Sequence, residues 1–440
     1  MIIDQYTYLD LSVFHPEEEF SVFHRMNFTR TDGGKEWLMK FFREPFSDLK
    51  KIRNTQQGIK VILDKIDHWP LSITNGTIMM LAKFYDYQLD PIPKSSDYFS
   101  SYTYRILHSP DYSLIRFSLS HFADFTRTMK QLVNLFRNEN APSVMQLLLA
   151  RAEQLLKHKQ VDEISSRETG SFYTVNETIY FGQFFHEQFR SQVFELMDIY
   201  GQFDAWYSMA MAVKKFSLSF PEFIEQEDPF IEAKGMYHLL LKDAVPYDIT
   251  MDTETNFIFL TGANMAGKST FIKSVGLAVF LGHIGLGVPA VFMKMSLFDG
   301  ILSNINVTDN IVKGESYFYN EVQRIKNTVI RINDGRKWLV LIDELFKGTN
   351  IQDAMKCSST VIRGLINIRH ALFILSTHLY EIGEELKTYR NISFKYFETD
   401  ISNNQLNFSY QLKEGISNDR LGYLILQREG VVDLLNSIRH

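Results

Sequence analysis

An α/β domain with a mixed sheet flanked by helices, preceded by a mostly α-helical domain, is the fold class that three observations predict. The first is Phe257-Ile-Phe-Leu-Thr-Gly-Ala-Asn-Met-Ala-Gly-Lys-Ser-Thr270, an apolar strand running into a loop and then into the helical-looking Thr270–Leu281. The second is Trp338-Leu-Val-Leu-Ile-Asp-Glu344, a short apolar run that ends in acids. Such a run reads as a strand buried on both faces, with its carboxylates at the C-terminal edge where α/β sheets place ligands. The third is helical periodicity in the first half. Tyr112–Asn138 carries Ile115, Leu119, Phe122, Phe125, Met129, Leu132 and Phe136 at mixed three- and four-residue spacing. Ser143–Lys159 does the same with Met145, Leu148, Leu149, Ala152, Leu155 and Leu156. These stripes read as core faces in preference to binding surfaces.

Along the chain, Asn138-Glu-Asn-Ala-Pro142 punctuates the two helices. Ser165–Gly170 is a polar connector, and Ser171–Phe181 reads as a short strand pair or an extended crossing. Phe184–Met211 reads as one long helix. His186-Glu187 has no second histidine at the H-E-x-x-H spacing, which argues against zinc. Pro221 and Pro229 around the acidic Glu222–Asp228 mark a domain junction. The expected division is a helical domain at 1–215 and an α/β domain at 216–440.

The chemistry sits in the second domain. Gly262, Gly267, Lys268 and Ser269 fill the pattern G-x-x-x-x-G-K-[ST]. Backbone N–H groups of such a loop, with the N-terminus of the next helix, cradle phosphates. Lys268 is placed to reach the β- and γ-phosphates, and Ser269 to bind Mg²⁺. Asp343 is expected to hold the same metal, directly or through water, and Glu344 to orient and deprotonate an attacking water. Ala371-Leu-Phe-Ile-Leu-Ser-Thr-His378 is a third apolar strand, and it ends in a histidine. A lone histidine is often structural; its place at a strand end, like the Asp-Glu pair, favours a sensor of the γ-phosphate or the water.

Five motifs in order carry a family resemblance. Gly262-Ala-Asn-Met-Ala-Gly-Lys-Ser-Thr270 resembles the phosphate loop of the MutS mismatch-repair ATPases, G-P-N-M-G-G-K-S-T, with the Asn264-Met265 pair as its distinguishing part. Ala263 and Ala266 stand where the family has Pro and Gly, and alanine restricts φ at position 266. Leu281–Ala290 is similar to the segment ending in V-P-A, and Asp343–Asn350 with Asp353 to the D-E-x-x-x-G-T loop. Ser376-Thr-His378 resembles A-T-H. Asp309–Phe318 resembles the signature segment, with Gly314, Ser316 and Phe318 in register. Gly235-Met-Tyr-His238 resembles G-R-H-P, and Ala244 stands where the family has an adenine-stacking Phe. Tyr247 is either a substitute for that Phe or a turn aromatic packed on the domain. Arg420–Gly430 and Val431–Ile438 resemble the closing helix-turn-helix, and Tyr8–Ser12 with Phe28–Leu38 the start of the helical core.

The resemblance implies a P-loop domain of the ABC type behind a helical core and lever domain with a reduced or absent clamp. It implies ATP and Mg²⁺ as cofactors. Gly262, Ala263, Asn264, Met265, Ala266, Gly267, Lys268, Ser269 and Thr270 bind phosphates and metal in that reading; Lys268, Glu344 and His378 are catalytic, and Ser269 and Asp343 are the metal ligands. Gly314 and Ser316 are implied to approach the ATP of the opposite subunit, with Thr349, Asn350 and Asp353 at the same interface. The partner is then a second copy or a related subunit, and DNA is the expected target. The core-like motif begins by Leu9, which implies a reduced form without the family's mismatch-reading and connector domains. Phe220-Pro-Glu222 matches the mismatch-probing F-x-E triplet, but in a linker.

Composition narrows the classes. A chain of 440 residues suggests two to three domains. Cys357 is the sole cysteine, so no disulfide forms within the chain and a reducing cytoplasm is expected. Met1-Ile-Ile-Asp-Gln-Tyr6 does not read as a signal peptide. Val275–Met293 is apolar but contains His283, Pro289 and four glycines, which argues for a buried helix and loop and against a membrane span. Residues 1–235 hold 25 Lys and Arg against 31 Asp and Glu, and the remainder holds 21 of each. Neither half is basic, although duplex binding draws most of its non-specific affinity from Lys and Arg on phosphates. Three functions therefore stay open: a DNA-associated ATPase, a MutS-derived ATPase gripping a protein or RNA, and a degenerate module without turnover.

Overall fold

The computed structural model describes residues 1–168, 170–306, 317–402, 405–417 and 430–437. Gly314, Ser316 and 420–429 therefore lie outside the described residues. The chain forms two compact units. One takes Met1–Arg25, Pro45–Leu49 and Ser217–His440, and the other takes Met26–Glu44 and Lys50–Phe216. The first 25 residues, expected in the helical domain, pack with the sheet unit instead.

The reason is local pairing. Strand β1 (Ile2–Ile3) runs parallel to β7 (Gly300–Asn304), with Ile2 opposite Gly300. Helix α1 (Gln5–Asp10) is capped by Asp4, whose carboxylate accepts from Thr7 N at 2.9 Å. At its other end the buried Asp10 accepts from Ser303 Oγ at 2.6 Å, Ile305 N at 3.1 Å and Asn306 N at 3.0 Å. The short helix α2 (Val22–Met26) follows.

The helical unit contains α3 (Asp32–Arg43), α4 (Leu49–Asp64), α5 (Asn75–Asp86), α6 (Tyr98–Leu107), α7 (Ser109–Phe136), α8 (Ser143–Leu155), α9 (Lys159–Ser165), α10 (Val175–Gln183) and α11 (Arg190–Phe216). All seven apolar residues of the α7 stripe are buried, as a core face requires. The short strand pair or extended crossing expected at Ser171–Phe181 is not formed: Ser171–Thr174 is irregular and α10 begins at Val175. Thr174 accepts from Glu177 N at 3.3 Å while Glu177 Oε2 accepts from Thr174 N at 2.8 Å, a reciprocal cap that nucleates the helix. The helix expected over Phe184–Met211 is interrupted. Phe184–Gln188 winds as a π-helix before α11 begins, and this puts Phe184, Phe185 and Phe189 in the core together. Phe185 stacks on Phe122 at 4.1 Å between ring centroids.

Helices α3 and α11 cross closely, and two residue types explain it. Asp204 on α11 is fully buried and accepts from Thr31 Oγ1 at 2.7 Å, Thr31 N at 2.9 Å and Arg30 N at 3.0 Å. Thr31 caps α3 in turn, accepting from Gly34 N at 3.1 Å. Gly34 leaves room for the carboxylate: a Cβ there would lie 2.1 Å from Asp204 Oδ2.

The sheet unit has a seven-stranded sheet in the order β1-β7-β8-β9-β5-β10-β11. Its members are β5 (Phe257–Thr261), β8 (Trp338–Asp343), β9 (Ala371–Ser376), β10 (Ile392–Ser402) and β11 (Gln405–Glu414), besides β1 and β7. All neighbours are parallel except β10 and β11, so the sheet is mixed as predicted. Every residue of β5, β8 and β9 is buried, which accounts for their unbroken apolar sequence. A second sheet has the order β2-β6-β3-β4, from β2 (Glu222–Ile224), β3 (Ile231–Met236), β4 (Tyr247–Met251) and β6 (Phe292–Ser296). The triplet Phe220-Pro-Glu222 thus leads into a strand of this sheet. The helices are α12 (Lys268–His283), α13 (Tyr317–Ile332), α14 (Ile351–Leu365), α15 (Tyr380–Leu386) and a closing helix at Val431–Ser437. The apolar stretch from Val275 divides into the end of α12, a loop and β6. Among the described residues no helix is long and apolar enough to cross a membrane.

Candidate functional site

Three strand ends meet at one edge of the seven-stranded sheet. The register sets Leu260 opposite Ser376 and Ser376 opposite Asp343. The loops that follow, Gly262–Gly267, Thr377-His378 and Glu344–Gly348, therefore emerge side by side. This is the C-terminal edge of parallel strands, where ligand clefts form in α/β sheets.

The first loop turns through left-handed backbone at Gly262 (φ 137°), Met265 (φ 66°) and Gly267 (φ 108°). Gly267 is then the N-cap of α12. The restriction expected at position 266 is not felt: the left-handed residue is Met265, while Ala266 is buried with an ordinary φ. Lys268 Nζ turns back into the loop and donates to Gly262 O at 2.7 Å and Ala263 O at 2.9 Å. Burial pushes its ammonium down to about 8, against the attraction of Glu344 and Asp343.

Ser269 Oγ donates to Asp343 Oδ2 at 2.5 Å, and Ser376 Oγ donates to Asp343 Oδ1. One carboxylate is thus oriented by two hydroxyls. Glu344, one residue on, faces a different set. Its Oε1 lies 2.6 Å from His378 Nε2 and its Oε2 lies 3.1 Å from Lys347 Nζ. Burial pushes the Glu344 carboxyl up, but His378 and Lys347 outweigh that and hold it at about 2. His378 Nε2 is also 3.5 Å from Lys268 Nζ, so the three motifs converge within one hydrogen-bonded cluster. Glu344 and Phe346 both adopt positive φ, 62° and 60°. Such backbone costs about 1–3 kcal/mol per residue and gathers at functional sites.

A cleft of about 590 Å³ opens over this cluster, lined among others by Leu241, Val245, Asn264, Lys268, Glu344 and Tyr410. Tyr247 lines the cleft and is also packed on the domain, so both readings of it stay open. Its ring is buried, edge-on to Phe271 at 5.4 Å and Phe397 at 5.7 Å. The exposed aromatic in the cleft is Tyr410 on β11, which the sequence reading missed. Nothing local in Asn407-Phe-Ser-Tyr410 marks it; the β10–β11 hairpin carries it there. Asn350 and Asp353 bond each other at the start of α14, Asp353 N donating to Asn350 Oδ1 at 3.0 Å. Elsewhere Asp90, His108 and Asp111 cluster in the helical unit as metal-type ligands, but they satisfy one another. His108 Nδ1 is 2.6 Å from Asp90 Oδ2, and Asp111 accepts from Asp90 N at 2.9 Å.

Residues 258–433 match the family model described as MutS domain V. The chain is 30% identical to the DNA mismatch repair protein MutS of Pseudothermotoga lettingae over 234 residues, 52% of this chain and 28% of that protein. It is 35% identical to MutS of Pelotomaculum thermopropionicum over 189 residues, 41% of this chain and 21% of that protein. It is 32% identical to the DNA mismatch repair protein MSH3 of Vanderwaltozyma polyspora over 215 residues, 48% of this chain and 20% of that protein. These alignments span less than a third of each relative's length. The converging strand ends lie within the matched segment, and over residues 258–433 the chain is similar to MutS domain V.

Proposed function

We propose that this protein is an ATP-binding and ATP-hydrolysing switch that acts on DNA. The observation that carries the reading is the cluster at the strand ends: Lys268 beneath the loop, Ser269 against Asp343, and Glu344 against His378. Loop N–H groups from Gly262 to Thr270 bind the phosphates, and Lys268 exchanges its carbonyl partners for phosphate oxygens. Ser269 and Asp343 offer hard oxygen donors side by side, the donor type that Mg²⁺ takes. When bound there, the ion neutralises charge on the phosphate oxygens. Tyr410 gives the base an exposed aromatic face where the family's Phe position is Ala244.

Glu344 is ionised at neutral pH, as a water-orienting residue must be. At about 2 it is a weak base, so orientation is the larger part of its role while His378 and Lys347 hold it. Phosphate oxygens that draw those two cations away raise its basicity. His378 then senses the γ-phosphate. Gly314 and Ser316 complete the site across a dimer of two copies, or of this chain with a related subunit. ATP binding thereby shifts a conformational equilibrium that the helical unit reads out.

DNA as the target rests on the relatives, which are named for DNA mismatch repair. The formal net charge of −6 weighs against either nucleic acid and so favours the protein arm of the second reading, a MutS-derived ATPase with a protein or RNA partner. Steady-state ATPase measured with homoduplex, mismatched and branched DNA, at low and moderate salt, separates the two. Stimulation by one DNA form supports the first. Turnover indifferent to every DNA moves the assignment to the second, and turnover by a strict monomer removes the shared site.

A further inference from the structure

The loop that carries Glu344 is gripped from outside the cleft. Glu321 lies on α13 and is only 4% exposed. Its Oε1 accepts from Lys347 N at 3.1 Å and its Oε2 from Gly348 N at 3.3 Å. Phe318, three residues earlier on the same helix, sets its ring 5.6 Å from that of Phe346. Helix α13 therefore meets the loop at three consecutive residues. It is itself tied to the end of β7, because Asn304 Nδ2 donates to Thr328 Oγ1 at 3.0 Å and Arg324 Nη1 donates to Asn306 O at 2.9 Å.

The loop needs such a grip. Glu344 and Phe346 are non-glycine residues in left-handed backbone, a conformation that persists only where surrounding contacts over-determine it. Ser376 O fixes one end by accepting from Glu344 N at 3.0 Å. At the other end, both oxygens of one buried carboxyl accept from two successive N–H groups, which offset part of the burial that pushes this carboxyl up.

We propose that Glu321 is the positioning residue for Glu344, holding the loop so that the Glu344 carboxylate stays beside His378 at the cleft. Glu321 does not line the cleft; it acts through the loop backbone. The inference rests on the ATPase reading above.

Glu321→Gln tests it. The variant keeps the side chain's shape but replaces one accepting oxygen with an NH2 nitrogen, which donates and cannot accept. Turnover should fall about 100-fold, the size expected when a catalytic group shifts by about 1 Å. The KM for ATP should change less than about twofold, because the loss falls on the transition state and not on binding. Added to Glu344→Gln, the substitution should cause no further loss. Hydrogen exchange reads the loop directly: amides in 344–350 should exchange faster in Glu321→Gln, with β8 unchanged. Glu321→Asp keeps the charge on a shorter arm and should recover part of the turnover; it carries the test if the glutamine variant does not fold. Wild-type kcat in Glu321→Gln, or unchanged exchange in the loop, would overturn the proposal. A wild-type protein without turnover would overturn the ATPase reading instead, and loop exchange would still report whether Glu321 holds the loop.

Discussion

Asp204 and Glu344 are both carboxylates withdrawn from water, and they resolve burial in opposite ways. Asp204 sits inside the helical unit with main-chain N–H groups and one hydroxyl as partners. Burial dominates and its carboxyl is pushed up from the ordinary value. Glu344 sits at a cleft with His378 and Lys347 against it, and those partners hold its carboxyl at about 2 despite burial. At Asp204 burial outweighs the donors and the charge of Arg30, whereas at Glu344 the charges of His378 and Lys347 outweigh burial. The difference separates a carboxylate that holds structure from the one proposed for chemistry.

The largest expected effect tests the chemical half of that comparison. Glu344→Gln should lower turnover about 10²–10⁴-fold while ATP still binds, the range lost with a general base. Single-turnover kinetics beside equilibrium ATP binding will read this. Normal turnover would make Glu344 a second structural carboxylate. Asp204→Ala should do the reverse, costing about 2–5 kcal/mol of stability because buried N–H groups lose their acceptor. Its turnover per folded molecule should match wild type. A urea midpoint within error of wild type would remove Asp204 as a fold determinant.

Gly34→Ala is the next smaller effect. The new methyl would lie 2.1 Å from Asp204 Oδ2, so the α3–α11 crossing must open, at about 1–3 kcal/mol. Combined with Asp204→Ala the two costs should fall short of additive, since the clash goes with the carboxylate.

The smallest effect is in pH dependence, and its sign differs between the two groups. Glu344 is depressed from 4.5 to about 2, so its stabilising contribution is full above about 4.5 and is lost as pH falls toward 2. Asp204 is raised above 3.8, so its contribution is full below that value and is lost as pH rises through the raised one. Unfolding midpoints between pH 3 and 7 should show Glu344→Gln gaining on wild type as the solution is acidified. Asp204→Asn should gain as pH rises. Parallel curves for both variants would mean that the two environments do not differ.

Much of the candidate site was legible before the fold. The loop from Gly262 to Thr270, the acids after Trp338–Ile342 and the histidine after Ala371–Thr377 are contiguous signals. Each follows an apolar strand, and parallel strands align such ends on one edge. The helical stripe of α7 was legible for a similar reason, since its periodicity is that of its buried face. The errors were local competitions. The Thr174–Glu177 capping box outweighed the β-branched, aromatic look of Ser171–Phe181, and the π-turn at Phe184–Gln188 has no periodic signature.

The sequence by itself determined the glycine-rich loop, the acidic strand end, the helical first half and the likeness to MutS domain V. These are written in consecutive residues, where backbone geometry and burial period leave a direct mark. Tertiary structure alone decided which distant groups meet. Asp10 reaches Ser303 across 293 positions, and Asp204 reaches Thr31 across 173. Glu321 grips Lys347 and Gly348, and the β10–β11 hairpin brings Tyr410 to the cleft. A hydrogen bond between residues far apart depends on register and packing of whole elements, and no short window of sequence encodes that register.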